Sequence, residues 1–112
     1  MGIRAKQRVI DTLRAYESLR GVPILTAWHD SEKGYPQITI TQISNRAVSH
    51  SDNRADFRAP LLQIDIWDRG NPFLVAEKVI AALGETGREP ADEREANEKH
   101  VNRIILEYRL EE

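Results

Sequence analysis

Residues 61–84 read LLQIDIWDRGNPFLVAEKVIAALG, and within them the hydrophobic period changes from two to about 3.6. Leu62, Ile64 and Ile66 alternate with Gln63 and Asp65, the pattern of a strand with one buried face. Asp68, Arg69, Gly70 and Asn71 carry turn and cap chemistry. Pro72 suits a first helical position, where its missing N–H has no intrahelical partner to lose. Val75, Ala76, Val79, Ile80 and Leu83 then fall on one stripe of a helix, which Gly84 is placed to end in a left-handed conformation. The unit lays a helix on a strand and holds nothing reactive.

Toward the N-terminus, Ile3, Val9, Ile10, Leu13, Tyr16 and Leu19 recur at helical spacing among charged residues and predict an amphipathic helix over 3–20, closed by Gly21. Residues 22–28 (VPILTAW) read as a short apolar strand, and 29–36 (HDSEKGYP) as a polar turn with Gly34 in a special backbone conformation. A hairpin is the simplest link to the second strand, 37–44 (QITITQIS), in which Ile43 falls out of phase and predicts a bulge. Residues 45–56 (NRAVSHSDNRAD) are polar and long for a hairpin loop, so they are expected to project from the body. The third strand spans 57–67, with Pro60 placing its first half at an edge or bulge.

Beyond the second helix, residues 85–99 (ETGREPADEREANEK) hold six acidic and three basic side chains and no large apolar one. With nothing to bury, they predict an exposed charged linker containing a short solvated helix after Pro90. Residues 101–110 alternate through Ile104, Leu106, Tyr108 and Leu110 as a fourth strand. The expected fold class is therefore α+β: a two-layer sandwich of order α-β-β-β-α-β, with a four-stranded, mainly antiparallel sheet and two helices on one face. The opposite face must be wetter or covered by another subunit.

The chain has 112 residues, the size of a single domain spanning 1–112. No cysteine is present, which excludes disulfides, thiol nucleophiles and thiolate metal sites. Sixteen basic and eighteen acidic residues give a net charge of −2, and the signs are interspersed, so the composition argues against a dedicated or sequence-specific nucleic-acid binder. No signal-peptide core and no run of about 20 apolar residues is present, so no membrane partner is expected and synthesis in a cytoplasm is.

Reactive constellations are sparse. His29 with Asp30 and Glu32, and His50 with Asp52, are suitable zinc or manganese ligands if their loops meet, but no third strong ligand is specified; His100 reads as a strand-end residue. Asp56, Asp65 and Asp68 invite comparison with a nuclease. Asp65 and Asp68, however, are three apart and so point to opposite faces of a strand, and Asp68 reads as a turn residue. Ser44, Ser49 and Ser51 lack the setting of a nucleophile elbow. The expectation is a non-enzyme with no catalytic residue, cofactor or metal. The alternative is a small metal-dependent hydrolase using Asp56, Asp65 and the loop histidines. A host regulatory module would need a basic patch or peptide groove that the sequence does not reveal.

Three features taken together resemble the small tail terminator, or tail completion, proteins of long-tailed bacteriophages and prophages. They are the opening helix KQRVIDTLRA followed by a strand with Pro23, the GYPQITITQIS strand followed by a polar loop, and LLQIDIWDRGNPFLVAEKVIAAL. The likeness spans nearly the whole chain, departing from the family pattern at residues 85–99, which are longer than such proteins need. It implies a structural virion protein at the tail–head junction. Family members form a ring, typically a hexamer, that caps the tail tube protein, stops polymerisation and presents the surface to which the head connector or neck protein joins. A neck or head-closure ring is the neighbouring reading. In such a ring the 45–56 loop, with Arg46, His50 and Arg54, and nearby Arg58, is expected to form an arm toward the tail tube; a solvated loop with no partner is the alternative. Leu61, Trp67 and Ile105, out of phase with the core residues of their strands, are interface candidates; Trp67 folded over its own core is an equal alternative.

Overall fold

A computed structural model describes residues 2–26, 28–43 and 61–109 of the chain. Helix α1 (Gly2–Ala15) and a 3-10 turn (Glu17–Leu19) lead through Gly21, at φ +89°, into β1 (Ile24–Leu25). After a second 3-10 turn come β2 (Gln37–Ile43), β3 (Leu61–Asp68), α2 (Phe73–Gly84), β4 (Asp92–Glu95) and β5 (Asn102–Arg109). The sheet order is β1-β2-β3-β5-β4, with β1 parallel to β2 and every other pair antiparallel.

The alternation of β3 has the consequence its sequence implies. Leu62, Ile64 and Ile66 join Ile38 and Ile40 of β2 and Ile104, Leu106 and Tyr108 of β5 on one sheet face. Onto that face pack Ala5, Val9, Ile10 and Leu13 of α1 and Val75, Ala76, Val79, Ala82 and Leu83 of α2. Helix α2 begins at Phe73, with Pro72 as its N-cap rather than its first residue; as the turn chemistry implied, the Asn71 side-chain carbonyl accepts from Phe73 N–H (2.9 Å) and Asp68 accepts from Gly70 N–H (3.1 Å). The α+β class with both helices on one face is thus observed.

Several local expectations are corrected. The first helix ends at Ala15 with only a 3-10 turn beyond it, and the first strand is Ile24–Leu25 rather than 22–28. The sheet has five strands: Asp92–Glu95, within the segment read as a linker with a short helix after Pro90, is instead a strand that pairs antiparallel with β5 from Asp92↔Glu107 to Glu95↔Ile104. All four residues are exposed, so the strand leaves no apolar period to read. Arg94 instead bonds to Asp92 and to Glu107 (3.0 Å), and the backbone ladder fixes the rest. The link between β1 and β2 is not a hairpin, because Ile24↔Ile38 and Leu25↔Thr39 run parallel and the chain must cross over between them. No bulge occurs at Ile43, which pairs in register with Leu61.

Finally, the left-handed residue after α2 is Gly87 (φ +85°), not Gly84. Arg88 N–H bonds to Leu83 O and Gly87 N–H to Gly84 O, both at 3.0 Å. These are the paired bonds of a Schellman cap, one turn later than the glycine position suggested.

Candidate functional site

The second sheet face carries the alternate residues of the same strands, in rows fixed by register. One row runs Gln37–Trp67–Arg103, the next Thr39–Asp65–Ile105–Arg94, and the next Thr41–Gln63–Glu107–Asp92. Among the described residues no helix covers this face. What covers its end is the 28–36 loop, pinned by Gln37. The fully buried Gln37 amide donates to Asp30 O (2.5 Å) and Gly34 O (2.8 Å) and accepts from Asp30 N–H (3.0 Å).

Pinned this way, the loop lays an aromatic cluster over Trp67. The His29 ring stacks on Trp67 at 4.0 Å between centroids, and Trp28 meets Trp67 edge-on at 4.9 Å. His29 Nδ1 shares a 2.6 Å hydrogen bond with the Tyr35 hydroxyl, and Arg69 lies over the Tyr35 ring. Trp67 is left 0 % exposed, its indole N–H donating to Thr39 Oγ1 at 2.9 Å. Trp28 is 59 % exposed.

Arg103 ties this cluster to the charged rows. Its guanidinium lies 4.7 Å from the Trp67 ring and 5.2 Å from that of Trp28. Its Nε and Nη2 donate to Asp65 Oδ2 at 3.2 and 2.8 Å, and Nη1 reaches Glu98 at 3.4 Å. Asp65, only 4 % exposed, also accepts from Gln63. Burial is tolerated because the charge is paired and hydrogen-bonded. Farther along, Arg94 is held above its ordinary pKa by hydrogen bonds to Glu107 and Asp92.

Each sequence candidate can now be placed. Trp67 is neither on an open surface nor in the helix-covered core. It is buried on the opposite face, under a loop that strand phase could not foresee. Ile105 is buried between its register partners Asp65 and Arg94, rather than standing free. Leu61 is half-buried at the start of β3, opposite Ile43 and Arg109. Arg46, His50, Arg54 and Arg58, with Ser44, Ser49, Ser51, Asp52 and Asp56, lie outside the described residues.

Of the metal candidates, Asp30 caps the 3-10 turn by accepting from Glu32 N–H (3.0 Å), His29 is engaged by Trp67 and Tyr35, and His100 is exposed. Among the described residues no three His, Asp or Glu side chains group to hold a metal, and none of their helices is long and apolar enough to cross a membrane. The residues missed by sequence reasoning are Tyr35, Gln37 and Arg103. Only Arg103 left a signal, as a cation in the same strand phase that Asp65 occupies on the neighbouring strand. No protein-family model matches the chain, and no curated protein matches it.

Proposed function

We propose that this chain is a structural virion component, a ring-forming tail terminator that caps a phage tail tube, ends its polymerisation and offers a surface for head joining. The resemblance of its helix, its strands and the 61–83 unit to that family supports the reading. One structural observation carries it further. On the helix-free face, Arg103 is committed to Asp65 and Glu98, Arg94 to Asp92 and Glu107, and His29 to Trp67 and Tyr35. These polar groups hold one another instead of converging on a point where a substrate would react. They make a rigid contact surface with Trp28 as its exposed aromatic, a residue type enriched where interfaces concentrate their energy.

The test is negative-stain microscopy of tails from a phage carrying an amber codon in this gene. Tubes of uncontrolled length, or full-length tails that do not join heads, are expected. Normal infectious particles refute the reading.

A further inference from the structure

Helix α2 leaves β4 uncovered on the core side of the sheet, and a groove runs between them. Phe73, Ala76, Ile80, Ile104 and Leu106 form its apolar surface, with Phe73 and its neighbour Leu74 48 % and 60 % exposed. Glu77, Glu93 and Glu95 rim it, and Arg94 completes its lining. Register puts Glu93 and Glu95 on this face, whereas Arg94, between them, turns to the other face and bonds to Asp92 and Glu107. Among the described residues, none of the three rim carboxylates has a cationic partner.

Tyr108 follows Ile104 and Leu106 on the same face of β5, outside the groove lining. It is 1 % exposed and its hydroxyl has no hydrogen-bond partner. Burial first, and then the nearby charges of Glu93 and Glu89, push that hydroxyl up to about 12. The groove therefore combines an apolar floor with an acidic rim whose carboxylates hold no cation among the described residues. That combination suits long cationic side chains whose methylene stems lie on the floor while their heads reach the carboxylates.

The chain itself carries such an element. In sequence, helix α1 carries Lys6 and Arg14, along with Arg4 and Arg8, against a single acid, Asp11. Among the described residues none of α1 lines the groove, so the partner helix is sought on a different copy. We propose that the groove between α2 and β4 receives the basic helix α1 of a second copy of this chain, joining copies head to tail. Unlike surfaces meeting in one sense build a ring when the rotation closes; the proposal names the contact of the ring reading and rests on it for that sense.

Charge exchange in the full-length protein tests this. The wild-type chain is expected to show concentration-dependent amide shifts at Phe73–Ile80, β4 and α1 up to millimolar protein, and to lose them at high salt. Glu93→Lys/Glu95→Lys and Lys6→Glu/Arg14→Glu should each weaken association at least tenfold while keeping the wild-type circular dichroism. An equimolar mixture of the two should recover it.

A wild-type chain without concentration-dependent shifts, swapped variants that associate like wild type, or a mixture that does not recover overturns the proposal. Normal tail termination by the Glu93→Lys/Glu95→Lys phage removes this contact and leaves the terminator reading standing, whereas an inert amber mutant removes that reading itself.

Discussion

Replacing Arg103 by alanine is the sharpest perturbation of the helix-free face, because one guanidinium serves a buried carboxylate and two indoles at once. Its side chain is 13 % exposed and that of Asp65 5 %, so the pair is close to the buried limit and little screened. Removing one member of such a pair costs about 3–5 kcal/mol, chiefly because the remaining charge is stranded. Gln63 still donates to Asp65, which argues for the low end, about 3 kcal/mol. Loss of the contacts with Trp67 and Trp28 adds about 1 kcal/mol. Against a total stability of roughly 5–15 kcal/mol for a domain, the variant should unfold near 15 °C below wild type at about 4 °C per kcal/mol.

Urea unfolding followed by tryptophan emission is the natural assay, since both tryptophans sit in this cluster. Asp65→Asn in the Arg103→Ala background should return about 2 kcal/mol, because the stranded charge is gone. A loss below about 1 kcal/mol, or no recovery in the double variant, refutes the claim that this ion pair organises the face.

Three further outcomes follow from single groups. Thr39→Val leaves the buried Trp67 indole N–H without its acceptor and should cost about 1–2 kcal/mol by urea unfolding. Gly87→Ala places a Cβ at φ +85° with no neighbouring atom within 4 Å. The cost is therefore dihedral alone, about 1 kcal/mol, read as a fall in thermal midpoint. Tyr108→Phe deletes an unpartnered buried hydroxyl and should be neutral or stabilising by about 1 kcal/mol at neutral pH. Its effect on pH dependence has a definite sign. The hydroxyl is raised from 10.0 to about 12 in the folded chain, so its contribution is fully present below pH 10.0 and is lost as pH rises through about 12. Wild type should lose about 2 kcal/mol more than Tyr108→Phe between those limits, measured by denaturant titration at each pH.

The sequence by itself determined the elements that bury one face. Alternation through Leu62, Ile64 and Ile66, and the 3.6 period of α1 and α2, report directly which side of each element leaves water, because apolar burial is local and periodic. Asn71 and Asp68 likewise act within two residues of themselves. That was enough for the α+β class, the helix-covered face and the chemistry of the β3–α2 turn.

Tertiary structure decided everything that depends on a partner distant in sequence. Strand β4 is all charge and is visible only once β5 supplies its ladder. The parallel pairing of β1 and β2 depends on a crossover that period cannot encode. Trp67, though out of phase with the core, is buried because Gln37 anchors a loop that brings His29 and Trp28 over it. Asp65 and Arg103, 38 residues apart, become one ion pair only through strand register. Hydrophobic period shows which face of an element is wet, and only the fold determines what later covers the wet one.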